Sequence, residues 1–356
     1  MKKRLMIIGF LLMVIMAVVG TTTLKQKQLS QNSTAYYVIH SNMLKKSGGV
    51  TGIDIEGNAT FTKSLKIQDV SEYSVMDNNF IAGGGRANNH LIIDESGNIS
   101  EFYLLDNPNY SGVTAIAGDK GNLIAVMNGN VADNTYQNLL VIQDRKHNVL
   151  EKEIMDIYAF DMLVKNDIVY IVGAYLNVEE NQWSSKIIKY NMKTKEIKEK
   201  IMSQDREYKK ILVYDDKLYC IARDMNGRSS EIDILNKDSL NKIDTQVWSE
   251  EISDFFSYND FLYYVLNNTL CKVEKNNDVI ELFFLPEDTY VSSSMMRENH
   301  IYLFCRKNNI EKEKGKVDLG VIIDYDVRKN TSQSTPVKLE DKSRDNVLFF
   351  PILQQR

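Results

Sequence analysis

The sequence predicts an all-β protein made of seven similar four-stranded units, and two regularities predict it. The first is a repeat of a β-rich run, an acidic or amide residue, a short polar turn and a second run, at intervals of 38 to 52 residues. The leading residues of these turns are Asp54, Asp94, Asp144, Asn191, Asn236, Glu274 and Asp326. Their short side chains can bond the backbone of the turn that they open. A period near 45 residues that contains only strands indicates a β-propeller with one repeat in each blade.

The second regularity is a hairpin upstream of each of these turns. Its clearest copies, such as LVKNDIVYIVG, occupy residues 163–173, 212–222, 256–266 and 295–305. A polar pair makes each tight turn, and a tyrosine follows at a fixed distance. These tyrosines are Tyr170, Tyr219, Tyr263 and Tyr302. Because they recur in one slot of a strand, we expect them to pack between blades rather than to stack on a ligand.

The two ends of the chain are expected to complete one blade together. Residues 32–39 align with residues 259–266, so Tyr36 belongs to a second strand whose first strand is missing. The apolar segment Val347–Pro351 has no strand after it with which to pair. We expect this segment to supply the innermost strand beside Tyr36, which closes the ring and removes an exposed sheet edge. The seven-bladed propeller then spans residues 34–356.

The N-terminus carries a targeting signal. After the cationic MKKR, the run from Leu5 to Gly20 is apolar, and the chain stays uncharged to Leu24. This is about the 20 residues that a helix needs to cross a bilayer, and the positive head should stay in the cytoplasm. One interpretation is a signal anchor over residues 1–24, with the propeller held outside the cytoplasm by residues 25–33. The alternative is a signal peptide that is cleaved, which would leave a secreted protein.

Charge and cysteine content exclude several classes. The net charge is −5 and no basic face is visible, so we expect no nucleic-acid partner. The three cysteines, Cys220, Cys271 and Cys305, have no metal-ligand spacing, and Cys220 and Cys305 lie in apolar strand patterns. They are expected to be small buried hydrophobes. The sequence predicts neither a metal site nor a cofactor, and it leaves calcium binding open.

Two segments resemble known propeller repeats. VYIVGAYLNVEENQWSSKIIKYNMKTKEI at 169–197 resembles a kelch repeat, and residues 81–98 are similar, with Gly83-Gly84-Gly85 where kelch repeats carry a glycine pair. The other blades lack the pair, and the Trp-Asp signature of WD40 repeats is missing. Residues 34–356 as a whole resemble the divergent seven-bladed propellers of bacterial exported or membrane-anchored proteins. The resemblance implies the fold only, because propellers host both binders and enzymes.

Function is expected on one face of the propeller. Both hairpin turns of each blade share one face, and the other face carries the long irregular loops at 128–138, 174–185, 223–230 and 307–318. We call the face with the hairpin turns the turn face and the face with the long loops the loop face. Five side chains in or beside these loops are the predicted partner contacts: Tyr136, Tyr175, Trp183, Arg223 and Arg228. The aromatic residues suit recognition hot spots, the arginines suit a carboxylate, and Glu179-Glu180 suits a cation.

No catalytic motif is found: the sequence has no nucleophile elbow, zinc site or P-loop. It therefore favours a non-catalytic binding or scaffolding propeller outside the cytoplasm, whose partner is a protein or a cell-envelope glycan. The membrane would be met through the N-terminal helix alone. The alternative is a propeller hydrolase or lyase acting on a sugar or small molecule. That enzyme would use loop carboxylates together with His40 and His90, which fall at or beside connections on the loop face.

Overall fold

The computed structural model describes residues 34–94, 96–105, 109–132, 135–177, 181–202, 206–224, 227–274, 278–309, 312–313, 316–340 and 346–351. Every regular element in these ranges is a β-strand. None of the described elements is a helix that could cross a bilayer. The predicted anchor or signal peptide at 1–24 and the stalk at 25–33 lie outside the described residues, as do Glu179 and Glu180.

The described strands form seven antiparallel sheets, each a blade with its strands in order from the innermost outward. Blade 1 contains β29 (Asn346–Pro351), β1 (Tyr36–Ser41), β2 (Gly48–Ile53) and β3 (Ala59–Leu65). Blade 2 contains β4 (Val70–Met76), β5 (Asn79–Gly84), β6 (His90–Ile93) and β7 (Ile99–Phe102). Blade 3 contains β8 (Val113–Asp119), β9 (Asn122–Ala132), β10 (Thr135–Gln143) and β11 (Val149–Met155). Blade 4 contains β12 (Tyr158–Lys165), β13 (Ile168–Asn177), β14 (Gln182–Asn191) and β15 (Ile197–Ile201).

The remaining three blades repeat this order. Blade 5 contains β16 (Arg206–Tyr214), β17 (Lys217–Asp224), β18 (Glu231–Asn236) and β19 (Lys242–Val247). Blade 6 contains β20 (Ile252–Tyr258), β21 (Phe261–Leu266), β22 (Thr269–Val273) and β23 (Val279–Phe284). Blade 7 contains β24 (Thr289–Arg297), β25 (His300–Lys307), β27 (Lys316–Asp326) and β28 (Thr331–Glu340), and the two-residue β26 (Lys312–Glu313) pairs with β27. The predicted seven-bladed propeller is therefore confirmed.

The ring closes as predicted. β29 pairs with β1 in antiparallel register, with Tyr36 opposite Pro351 and Ser41 opposite Asn346. Each innermost strand contacts the innermost strand of the next blade all the way round, from β29 to β4 and back through β24. The strands enclose a central channel, and the blade that contains both ends of the chain has no unpaired inner edge at β1.

The cores lie between blades, because each sheet is apolar on both faces. The four repeated tyrosines are buried there, as expected. Tyr263 is 3% exposed and packs with Leu303 and Tyr325 of blade 7, and Tyr219 packs in the same way with residues of blade 6. The cysteines are also as expected, because Cys220, Cys271 and Cys305 are all free and buried.

The repeated polar turns have the predicted chemistry. The carboxylate of Asp94 accepts hydrogen bonds from the backbone N–H groups of Ser96 (2.9 Å) and Asn98 (2.8 Å), and Asp54 and Asp144 do the same in blades 1 and 3. Their oxygens are thus committed to the turn. In the other hairpins the first member of the polar pair has a positive φ, as in Asn166 (55°). Such hairpin turns favour Asn, Asp and Gly.

Candidate functional site

A β-bulge is shared by six of the seven innermost strands. Each innermost strand begins at the loop face, because the link from the preceding blade leads into it, and the bulge falls near this first end. The bulges lie at Val70/Glu72, Val113/Ala115, Ala159/Asp161, Tyr208/Lys210, Ile252/Asp254 and Val291/Ser293. The pairing of β29 with β1 has no such shift. Bulges re-aim side chains and are common beside functional sites, so this shared feature marks the loop-face end of the channel.

The residues that follow the bulges occupy equivalent positions around the channel. We call them the channel ring: Glu72, Ala115, Asp161, Lys210, Asp254 and Ser293. Three are carboxylic acids, one is an amine and one is a hydroxyl. Charged groups are rare on the innermost strands of a packed ring unless they are paired or used. Their convergence makes this end of the channel the candidate site.

Hydrogen bonds connect the ring across blades. Ser294 of blade 7 donates its hydroxyl to Asp254 of blade 6, and the Nζ of Lys210 in blade 5 lies 3.9 Å from the same carboxylate. Asp161 of blade 4 accepts the backbone N–H of Ile211 at 2.8 Å. From blade 2, the Tyr73 hydroxyl donates to the Ser294 carbonyl. These bonds link blades that are not all adjacent, so they also stabilise the ring.

Burial and charge alter the acid strength of these groups. Burial raises the pKa of Glu72 to about 8, and the Asp161 carboxylate raises it further whereas Lys210 opposes the shift. Burial also raises the pKa of Asp161. The Asp254 carboxylate raises the pKa of Lys210 above its usual range, so the amine stays charged. Glu72 is therefore largely protonated at neutral pH, and it can release a proton if a cation approaches.

An aromatic wall stands beside the ring at blades 3 and 4. The rings of Tyr136 and Tyr158 meet edge to face at 5.2 Å between centroids, and Tyr158 meets Phe160 at 5.3 Å. Lys209 places its ammonium 3.5 Å from the Phe160 centroid and pairs with Glu207 at 2.7 Å. The Glu72 carboxylate raises the pKa of Tyr158, after the larger effect of burial, so the wall stands within electrostatic reach of the ring.

The five residues predicted from the sequence lie at different places on the loop face. The ring of Tyr136 contacts the ring of Tyr158, which stands beside the channel ring. Tyr175 lies under the buried amine of Lys186, 5.0 Å from its ring centroid, and Trp183 is 45% exposed at the start of β14. Arg223 and Arg228 are both exposed on blade 5, where the Arg223 guanidinium donates to the Gly227 carbonyl. The contacts described for Tyr136 lead to the channel ring, whereas Arg228 lines a cleft with Trp248 and with Asn267 of blade 6.

The two histidines of the enzymatic alternative lie in blades 1 and 2. His90 is fully buried, and its Nδ1 accepts the backbone N–H of Gly84 at 3.1 Å while its Nε2 lies 3.2 Å from Asn88 Oδ1. Burial lowers the pKa of His90 to about 3, so the ring is neutral and structural. Burial also lowers the pKa of His40, a half-buried residue of β1. Among the described residues, no group of three or more His, Cys, Asp or Glu side chains is arranged to hold a metal ion.

Sequence reasoning missed the channel ring because it located function in loops. A signal was nevertheless present in the innermost strands. Aligned on the bulge, they read VSEY, VTAI, AFDM, YKKI, ISDF and VSSS. The second and third positions are each polar in five of these six segments, and the first position is apolar or aromatic in all six. A polar residue held at one slot of a buried strand calls for a shared environment, which here is the channel.

Comparisons with known proteins support the fold. No protein-family model and no curated protein matches the chain. Among solved structures, the periplasmic gluconolactonase PpgL of Pseudomonas aeruginosa matches with a TM-score of 0.56 and 9% identity, over 90% of this chain and 100% of that one. A streptogramin B lyase matches with a TM-score of 0.52 and 14% identity, over 86% and 89%. The WD40 domain of Neurospora crassa Pan2 matches with a TM-score of 0.50 and 10% identity, over 77% and 80%. At such identities the likeness extends to the propeller fold alone.

Proposed function

We propose that this chain is an extracytoplasmic binding propeller that recognises a protein or a cell-envelope glycan at the loop-face mouth of its channel. The observation that carries the proposal is the channel ring, where six strand bulges bring acids, an amine and a hydroxyl together. The aromatic wall of Tyr136, Tyr158 and Phe160 stands beside it. Concave sites with apolar walls and a few convergent polar groups are the usual form of ligand sites.

The position outside the cytoplasm rests on the N-terminal sequence. The cationic head and apolar run over residues 1–24 favour export, either as an anchor or as a cleaved signal peptide. Burial of all three cysteines without a disulfide is compatible with an exported chain, since such thiols are protected from oxidation. Fractionation of the source cells tests this: recovery of the chain in the cytosol would exclude the proposed location.

A second candidate function is a hydrolase or lyase that acts on a sugar or small molecule. The observation in its favour is Glu72, whose pKa of about 8 keeps it protonated near neutral pH, as a general acid requires. PpgL and the streptogramin B lyase show that similar propellers carry enzymes. However, His90 is committed to the interior of blade 2. We favour binding, because no hydrogen bond among the described residues pairs Glu72 with a second carboxylate as an acid and base of one reaction.

Affinity capture from a cell-envelope extract tests the binding function. The bait is the propeller, residues 34–356, and the test variant combines Tyr136→Ala with Phe160→Ala on the aromatic wall. We expect the variant to lose at least 80% of the captured partner, which is roughly the effect of truncating one hot-spot residue on binding. A matched control on the turn face is Lys146→Ala, whose side chain is exposed. Equal capture by all three proteins would contradict a binding site at the channel mouth.

A further inference from the structure

A cleft of about 370 Å³ opens on the loop face between blades 5 and 6. Its walls come from the connection between β17 and β18, the link from β19 to β20 and the connection between β21 and β22. Its lining residues include Arg228, Trp248, Glu250, Glu251, Asn267 and Asn268. The volume falls within the roughly 300–1,000 Å³ of small-molecule sites. None of the described lining residues belongs to the channel ring or the aromatic wall, so the cleft is a separate site.

Hydrogen bonds of the backbone hold the walls of the cleft in place. The N–H of Trp248 donates to the Ser230 carbonyl at 2.8 Å, and the N–H of Asn267 donates to the Glu251 carbonyl at 3.1 Å. The indole ring of Trp248 meets the buried ring of Tyr264 edge to face, with 4.8 Å between the centroids. These contacts fix the cleft before a ligand arrives, which lowers the entropy cost of binding.

The cleft contains a cation that has no acidic partner among the described residues. Arg228 is exposed, and its guanidinium pairs with neither Glu250 nor Glu251. By contrast, Arg86, Arg145 and Arg206 each form an ion pair with an acidic side chain. The planar fork of N–H donors on arginine matches the two oxygens of a carboxylate. Arg228 therefore favours a ligand that carries a carboxylate.

The other polar groups of the cleft require donors and acceptors from the same ligand. Glu251 accepts a hydrogen bond from the Asn267 amide at 3.4 Å, and Asn268 is an exposed amide. The buried Oε2 of Glu250 has no donor among the described residues, so the partners of this carboxylate are incomplete. Carboxylates accept, guanidinium groups donate, and amides do both. Hydroxyl groups can pair with all three kinds of side chain.

We propose that this cleft binds a carboxylate-bearing sugar of the uronic acid class. The sugar carboxylate pairs with Arg228, the hydroxyls meet the acid and amide side chains, and the C–H face of the ring lies against Trp248. The terminus of a peptide would also bring a carboxylate, but it offers few hydroxyls to the polar walls. The site lies outside the channel mouth, and the inference does not depend on the function proposed for that mouth.

Tryptophan fluorescence of the propeller, residues 34–356, tests the proposal. The chain has two tryptophans, so a Trp183→Phe background leaves Trp248 as the only reporter. The probes are methyl β-glucuronide and methyl β-glucoside, which differ only in a carboxylate or a hydroxymethyl group on the same ring. We expect the glucuronide to change the emission of Trp248 and to bind about fivefold more tightly, the upper range for a partly exposed ion pair. In about 1 M salt this preference should disappear, because exposed charges are screened.

Two variants in the same background locate the carboxylate. Arg228→Gln removes the charge from an exposed side chain, so the thermal midpoint should be unchanged. We expect this variant to bind both probes equally, with the affinity that the parent protein has for the glucoside. Arg145→Gln, which removes an exposed arginine from the turn face, is the matched control and should keep the fivefold preference.

Several results would overturn the inference. They are equal affinity of the parent protein for both probes, no change in emission with either probe up to about 50 mM, beyond the range of weak binding, or a preference that survives Arg228→Gln. A third probe, N-acetyl-leucine, carries a carboxylate and an apolar group without hydroxyls, and tighter binding of it than of the glucuronide would contradict the sugar class. Binding at the channel mouth is tested by Tyr136 and Phe160, so failure of the cleft would leave that proposal standing.

Discussion

Burial determines the protonation state of His90. Its pKa is lowered to about 3 in the folded chain, against about 6.5 when unfolded. The unfolded chain therefore binds the extra proton first, so the stability due to neutral His90 is present above pH 6.5 and is lost as the pH falls towards 3. At about 1.4 kcal/mol per pH unit, we expect a loss of about 2 kcal/mol between pH 6.5 and 5.

The measurement is urea unfolding at both pH values for the wild type and His90→Asn. The variant should be less stable at pH 6.5, because the bond from the Gly84 N–H is disturbed, but its stability should fall less steeply towards pH 5. His147→Asn is the control, since His147 is exposed in a turn with a positive φ that asparagine tolerates. Parallel pH profiles for wild type and His90→Asn would show that His90 is not held neutral by the fold.

The repeated tyrosine on the second strand of blades 4 to 7 shows how one slot joins neighbouring sheets. Tyr263 is 3% exposed within a cluster that includes Leu303 and Tyr325 of blade 7. We expect Tyr263→Ala to lower the free energy of unfolding by about 3–5 kcal/mol, and Tyr263→Phe by less than about 1.5 kcal/mol because the ring remains. Urea unfolding measures both. The exposed Tyr103→Ala is the control, and a similar loss there would contradict a role specific to the slot.

Strand positions and turns were predictable from the sequence, and the bulges were not. A turn such as Asp94 to Asn98 carries its own local chemistry, because a short acid binds the next backbone N–H groups. A tyrosine in a fixed slot is equally local. The bulge before Glu72 depends instead on how β4 pairs with β5, so this strand taken alone does not indicate it, and only the alignment of the six innermost strands carries a signal. The candidate site was therefore missed, apart from Tyr136 at its border.

At the scale of the whole molecule, the ring closes because strands from the two ends of the chain pair with each other. The count of repeats predicts it, since one blade lacks a strand at its start and one strand remains at the end of the chain. The pairing of β29 with β1 confirms it. The channel ring depends on this closure as well, because the bonds from Tyr73 to Ser294 and from Ser294 to Asp254 run from blade 2 to blade 6 past the closing strand. Binding and ring integrity should thus fail together.

A truncation tests this dependence. A chain that ends after Glu340 lacks β29, which leaves the backbone of β1 unpaired on its inner edge beside the buried side chains of Tyr37, Val38 and Ile39. Exposed edges of this kind associate with other chains. We therefore expect a lower thermal midpoint and oligomers in size-exclusion chromatography with light scattering. A chain that ends after Pro351 keeps β29 and is the matched control, which should remain monomeric and as stable as the intact propeller. If the shorter chain is also monomeric with an unchanged midpoint, β29 is not required for closure of the ring. The hydrogen bonds from Tyr73 to Ser294 and from Ser294 to Asp254 would then have to be sufficient.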